Sequence, residues 1–144
     1  MENLGLTRPI SLYIEACEPN ISGYTPFTWD CIYLNKSLWA EGPDVKELID
    51  IIAHEAFHIF QEDLVLYEQY RKDMSSAEKR RIEQYRHELQ HYKSSSTDPK
   101  AYKKQHLEID ASAYAKERWN TFYKAHWRSI LKSCQANLNT ANND

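Results

Sequence analysis

Two histidines four residues apart, with a glutamate directly after the first, stand at His54, Glu55 and His58 in "AHEAFHIF". On a helix, residues four apart fall one turn apart on the same face, so two imidazoles at this spacing can reach one metal ion. The glutamate beside the first histidine is close enough to act on an activated water without being a ligand. The same pattern recurs at His87, Glu88 and His91 in "RHELQHYK". At most one of the two need be a site, and the faces on which they lie must separate them.

Advancing about 100° per residue, Ile82, Tyr85, Leu89 and Tyr92 form one apolar stripe, and His87 and His91 fall on the opposite side. That helix is expected to pack through the stripe and leave its histidines in solvent, among Arg86, Glu88 and Lys93. On the earlier helix Val45, Leu48, Ile49, Ile52, Ala56, Phe57, Ile59 and Phe60 cover more than half the circumference. It is expected to be largely buried, with His54, His58 and Glu55 on the remaining strip. Desolvating such groups without a purpose is costly, so the first pair is the candidate metal site. Two merely hydrogen-bonded core histidines are the plainer alternative.

A catalytic zinc takes three protein ligands and leaves one position open, so a third ligand must come from elsewhere. In "HLEIDASAYAKERW" Glu108 shares a face with Ala111, Ser112, Ala115, Trp119, Phe122 and Ile130, whereas Asp110 and Glu117 point away. The small alanines would let this helix approach another backbone closely. That suits a carboxylate reaching His54 and His58. A buried carboxylate paired with an arginine is the competing account.

The elements that carry these residues are legible in outline. Gly5, Pro9, Pro19, Gly23 and Pro26 punctuate the first forty residues, and no glycine follows Gly42. "ISLYIEA" (10–16) and "CIYLN" (31–35) are rich in β-branched and aromatic residues between turn signals, so two or three short strands are expected first. Asp44 with Glu47 reads as a capping box opening a helix that can run to Tyr70, and Ser75 with Glu78 opens a second that closes near Lys93. Asp98 and Pro99 read as an N-cap with proline at the first helical position, beginning a long helix to about Lys132. The class is therefore α+β: a small N-terminal β-sheet followed by a helical portion, in one domain over 1–144. Residues 74–97 would be an inserted helix and 134–144 a frayed polar tail.

Composition removes several functions. A formal net charge of -3 offers no bulk attraction to nucleic acid or an anionic membrane, and no apolar run approaches the length of a membrane span. "MENLGLTRPI" lacks the basic and apolar regions of a signal peptide, so a cytoplasmic location is expected. Cys17, Cys31 and Cys134 lack the close pairing of a thiolate metal site and read as reduced thiols.

"HEAFH" followed by "EIDASAYA" resembles the gluzincin branch of the zinc metallopeptidases, in particular small bacterial and phage members related to those that cleave repressors. The match lies at His54, Glu55 and His58, then at Glu108, Ala111, Tyr114 and Ala115, and spans roughly residues 30 to 120. It implies a zincin-like fold with an active-site helix and a long ligand-bearing helix, with His54, His58 and Glu108 holding Zn²⁺ and Glu55 as general base. It implies a peptide or protein substrate, with "CIYLN" as the edge strand along which an extended chain lies. Ser112 departs from the pattern, standing where the family has Asn or Asp to orient a ligand histidine. For the oxyanion, Tyr92, Tyr102, His91 and His106 are the candidate donors. The expectation from another class is a non-catalytic module that uses this fold to bind protein. Deformylation, which shares the motif, takes a cysteine ligand in a Gly-Cys-Leu setting that this chain lacks.

Overall fold

The computed structural model describes residues 9–27, 30–40, 42, 44–126 and 129, except the side chain of Phe122. Its sheet has three strands, β1 (Ser11–Glu15), β2 (Gly23–Tyr24) and β3 (Cys31–Asn35), in the order β1-β3-β2. β1 runs parallel to β3, in register from Ser11 opposite Cys31 to Glu15 opposite Asn35, and β2 runs antiparallel on the other side. "CIYLN" is therefore the central strand and not the edge. Its burial on both faces says why: Ile32 and Leu34 face the helices, while Cys31 and Asn35 on the opposite face are also covered. The edges are β1 and the two-residue β2, and the "SGY" of β2 reads as turn in isolation.

Two contacts place the β2 edge. The Asn35 side-chain amide donates to the carbonyls of Glu18 (3.2 Å) and Ile21 (2.7 Å), tying down the loop that leads into β2. Gly23 lies so close to the first helix that a Cβ there would stand 2.6 Å from Ile51 Cγ2 and 3.0 Å from the Tyr33 carbonyl. Only a residue without a side chain lets the strand run this near.

Among the described residues four α-helices follow: α1 (Val45–Leu66), α2 (Ser76–Gln90), the single turn α3 (Pro99–Tyr102) and α4 (His106–Arg118). The Asp44 carboxylate caps α1 through the Lys46 amide, and Ser75 with Glu78 forms a complete capping box on α2. α1 ends at Leu66, before a 3₁₀ turn at Glu68–Tyr70, and α2 stops at Gln90, both short of the lengths expected. α1 packs under the sheet through Ile59, which joins Ile32 and Leu34 in the core with Ile51, Ile52 and Ala56 around them. On its other side it meets α4 and α2, which also touch one another. Ala111 and Ala115 of α4 are buried there, as the close-approach argument requires.

The long helix expected from Asp98 is broken. Asp98 caps Pro99–Tyr102 through the Ala101 amide, the chain turns at Lys103 and Lys104, and Gln105 is extended before α4 begins. Side-chain competition for backbone groups accounts for the break. Gln105 spends its amide on Lys93, accepting from its N–H (2.8 Å) and donating to its carbonyl (3.0 Å), and so offers α4 no cap. Beyond Arg118 the helical path passes through a π turn at Trp119–Tyr123. Ile130, Cys134 and the tail at 134–144 lie outside the described residues.

The burial of α1 also differs from expectation. Its fully buried residues are Ala53, Glu55, Ile59, Gln61 and Glu62, while Val45, Leu48, Ile49, Phe57 and Phe60 are only half-buried. Three of the five buried residues of the helix are polar, while His54 and His58 are half-buried. Among the described residues no helix is long and apolar enough to cross a membrane.

Candidate metal centre

The polar strip of α1 meets the start of α4 at three side chains. His54 Nε2 lies 3.3 Å from Glu108 Oε2, His58 Nε2 lies 3.5 Å from Glu108 Oε1, and the two Nε2 atoms face each other at 3.0 Å. His54, His58 and Glu108 could hold a metal ion: one ligand atom from each lies within 4.8 Å of the others, and among the described residues they are the only such group. The chemistry of the set fits one. Glu108 is 4% exposed, yet its Oε2 has no hydrogen-bond partner, a costly condition for a buried carboxylate oxygen. Two imidazole nitrogens directed at each other repel unless a proton or a cation lies between them. A cation at their meeting point answers both problems.

α4 is brought there by the second His-Glu motif. Glu88, from "HELQH", accepts from the first free amides of α4, His106 N at 3.0 Å and Leu107 N at 2.9 Å, so a residue of α2 caps the helix that Gln105 leaves uncapped. Glu108 follows directly. The histidines of that motif have no part in the cluster. His87 and His91 are exposed, and His91, one residue past the end of α2, shares a hydrogen bond of 2.9 Å with the carbonyl of His87.

Glu55 lies beside the cluster and is not one of its three members. It is 8% exposed, and the Thr25 amide, just past β2, donates to it. Burial raises its pKa above the ordinary carboxylate value, against the pull of His58 and His54. For Glu108 burial acts in the same upward direction, but the His54 and His58 imidazoles beside it outweigh it and hold the carboxyl well below the ordinary range. Two neighbouring carboxyls are thus driven apart, one toward proton carrier and one toward permanent anion.

The four oxyanion candidates separate. The Tyr92 hydroxyl donates to Glu108 Oε1 at 2.7 Å, and Tyr102 lines the same hollow as that carboxylate. Burial and that carboxylate raise both phenol pKa values far above the ordinary value, so both stay protonated donors. His91 is turned to its own backbone, and His106 is taken by Glu88 and Gln84. Tyr92, expected in the packing stripe of α2, is 42% exposed, whereas Ile82 and Tyr85 are buried as expected. Asp110 does not point away: it accepts from Tyr85 (2.5 Å) and pairs with Arg81 (3.4 Å), fastening α4 to α2.

Sequence reasoning missed Gln61. It is fully buried, shares a hydrogen bond of 2.8 Å with His58 Nδ1 and donates to the Leu107 carbonyl at 3.1 Å. Its position three residues after His58, on the same helical face, was the available signal. Ser112, where the resemblance expects Asn or Asp, is exposed and its Oγ stands 3.5 Å from His54 Nδ1.

Two hollows meet over the cluster. One, of about 720 Å³, takes in His54, Lys46, Ser112 and Trp119; the other, of about 340 Å³, takes in His58, Glu108, Tyr92 and Phe27. Both are lined by Ile21, Gly23, Glu55 and Tyr102, so the edge strand and the buried Glu55 carboxyl lie on their common boundary.

No family model, curated protein or solved structure matches this chain.

Proposed function

We propose that the chain is a zinc-dependent peptidase that hydrolyses peptide bonds of a peptide or protein substrate. The observation that carries this reading is the convergence of His54, His58 and Glu108 next to a separate, buried Glu55 with a raised pKa. A site that merely held a metal would have no use for that extra carboxyl. Zinc suits two imidazoles, one carboxylate and an open position, and when bound it supplies Lewis acidity that lowers the pKa of water and polarises a carbonyl.

The chain's own residues account for the rest. Glu55 takes the proton of the attacking water as the new C–O bond forms, and returns it to the amine nitrogen as the C–N bond breaks. Tyr102, protonated and at the boundary of both hollows, is the better placed donor for the developing oxyanion, with Tyr92 behind it on Glu108. The antiparallel edge β2 offers backbone groups along which an extended peptide can pair, beside Glu55 on the boundary of the two hollows.

The test is Glu55→Gln. Zinc content should stay at wild-type level while turnover of a peptide library falls by about 10²–10⁴-fold. Undiminished turnover would remove Glu55 as the base. A wild-type protein that holds zinc but cuts nothing in the library would favour the non-catalytic binding module instead.

A further inference from the structure

The two ligand histidines are held unequally. Among the described residues His54 Nδ1 has only the exposed Ser112 hydroxyl, at the 3.5 Å limit of a hydrogen bond, whereas His58 Nδ1 meets the Gln61 side chain at 2.8 Å inside the protein. We propose that Gln61 is the positioning residue of the metal centre, its one amide setting both the proton position on His58 and the placement of Glu108. This inference rests on the zinc reading above.

The orientation of the amide is set by its second partner. The Leu107 carbonyl can only accept, so the Gln61 NH₂ must face it, and the reverse orientation would set two oxygens against each other. The Gln61 oxygen is then left for His58, and an oxygen can only accept. The His58 proton must therefore sit on Nδ1, which leaves the Nε2 lone pair directed at His54 and Glu108. Leu107 immediately precedes Glu108. One side chain thus spans from the ring of an α1 ligand to the peptide unit that carries the α4 ligand. The orienting role that the resemblance assigns to the Ser112 position is carried here from the other histidine.

The experiment compares wild type, Gln61→Leu, Gln61→Glu and Ser112→Ala. Zinc affinity is measured by chelator competition, and the His58 tautomer by imidazole ¹⁵N shifts in metal-free protein. Gln61→Leu should bind zinc more weakly by on the order of 10–100-fold and release His58 from the Nδ1–H form. Gln61→Glu keeps an acceptor for Nδ1 but sets an oxygen against the Leu107 carbonyl, so it should retain the Nδ1–H form while recovering only part of the affinity. Ser112→Ala should change affinity by less than about threefold, as expected for a contact at the distance limit. Gln61→Leu with unchanged tautomer and affinity overturns the proposal, as does a Gln61→Glu protein that has lost the Nδ1–H form. Should Gln61→Leu fail to fold, the tautomer and affinity of Gln61→Glu decide alone. Wild type that takes up no zinc sinks the metal reading itself, a result distinct from zinc binding that is indifferent to Gln61.

Discussion

The segments around His54–His58 and His87–His91 share one five-residue pattern, and the ring centroids of both pairs lie 4.6 Å apart. Their surroundings make them different objects. In the first pair the rings stand nearly perpendicular, at 85°, with both Nε2 atoms directed at a buried carboxylate of another helix. In the second they lie at 26°, in solvent, with one ring turned back on its own backbone. The two glutamates differ as well, since Glu55 sits buried beside the cluster and Glu88 caps the helix that delivers Glu108. Helical spacing brings two rings together in either place, but convergence on an ion needs a third group from a separate element.

The widest separation between the two segments should be in metal binding. His54→Ala and Glu108→Ala are expected to lose stoichiometric zinc, read by metal analysis after dialysis, and His87→Ala to keep it. Loss confined to His87→Ala would invert the assignment. The same contrast extends to stability, since zinc at a hundredfold excess over its Kd should raise the unfolding free energy by about 2.7 kcal/mol in wild type and His87→Ala, with no such gain in His54→Ala.

Glu88 sharpens the comparison at a smaller scale. Glu88→Ala strips two amides of a charged acceptor and should cost about 2 kcal/mol in urea unfolding, with weaker zinc binding because α4 carries Glu108. A change confined to solvent would leave both measurements alone and refute the cap. Gly23→Ala, which drives a Cβ against Ile51 Cγ2 and the Tyr33 carbonyl, should cost about 1–3 kcal/mol. It should also impair turnover more than zinc binding, because it displaces the edge strand and not the ligands. At the bottom of the scale, His87→Ala and His91→Ala should each shift stability by less than about 0.5 kcal/mol. A larger loss in either would reveal a role for the second pair.

Much of the site was legible because its signals are local. The Asp44 cap, the Ser75–Glu78 box and the apolar stripes set the helices on which the histidines lie, and the position of Glu108 on an apolar face with Ala111 and Ala115 marked it as an inward carboxylate. The misses occurred where a distant group claims a backbone or side chain. The break before α4 depends on Gln105 reaching Lys93 and on Glu88 reaching two amides, neither of which any window of sequence contains. Asp110 looked like a surface residue because Tyr85 and Arg81 are remote in the chain. β2 was invisible since two residues have no periodicity, and its existence rests on Asn35 holding the preceding loop. "CIYLN" was placed at the edge by resemblance, although an apolar run of that kind suits a strand paired on both sides.

By itself the sequence determined the α+β order of elements, the spacing that puts His54 and His58 on one helical face, and the choice of Glu108 as their partner, all consequences of local geometry and periodicity. Only the tertiary structure decided that the second His-Glu pattern serves through its glutamate as a cap on α4, which tyrosines face Glu108, and that Gln61 and Glu88 hold the arrangement. Those outcomes depend on burial and on hydrogen bonds between residues far apart in the chain, and desolvation acts on a folded surface that no short segment possesses.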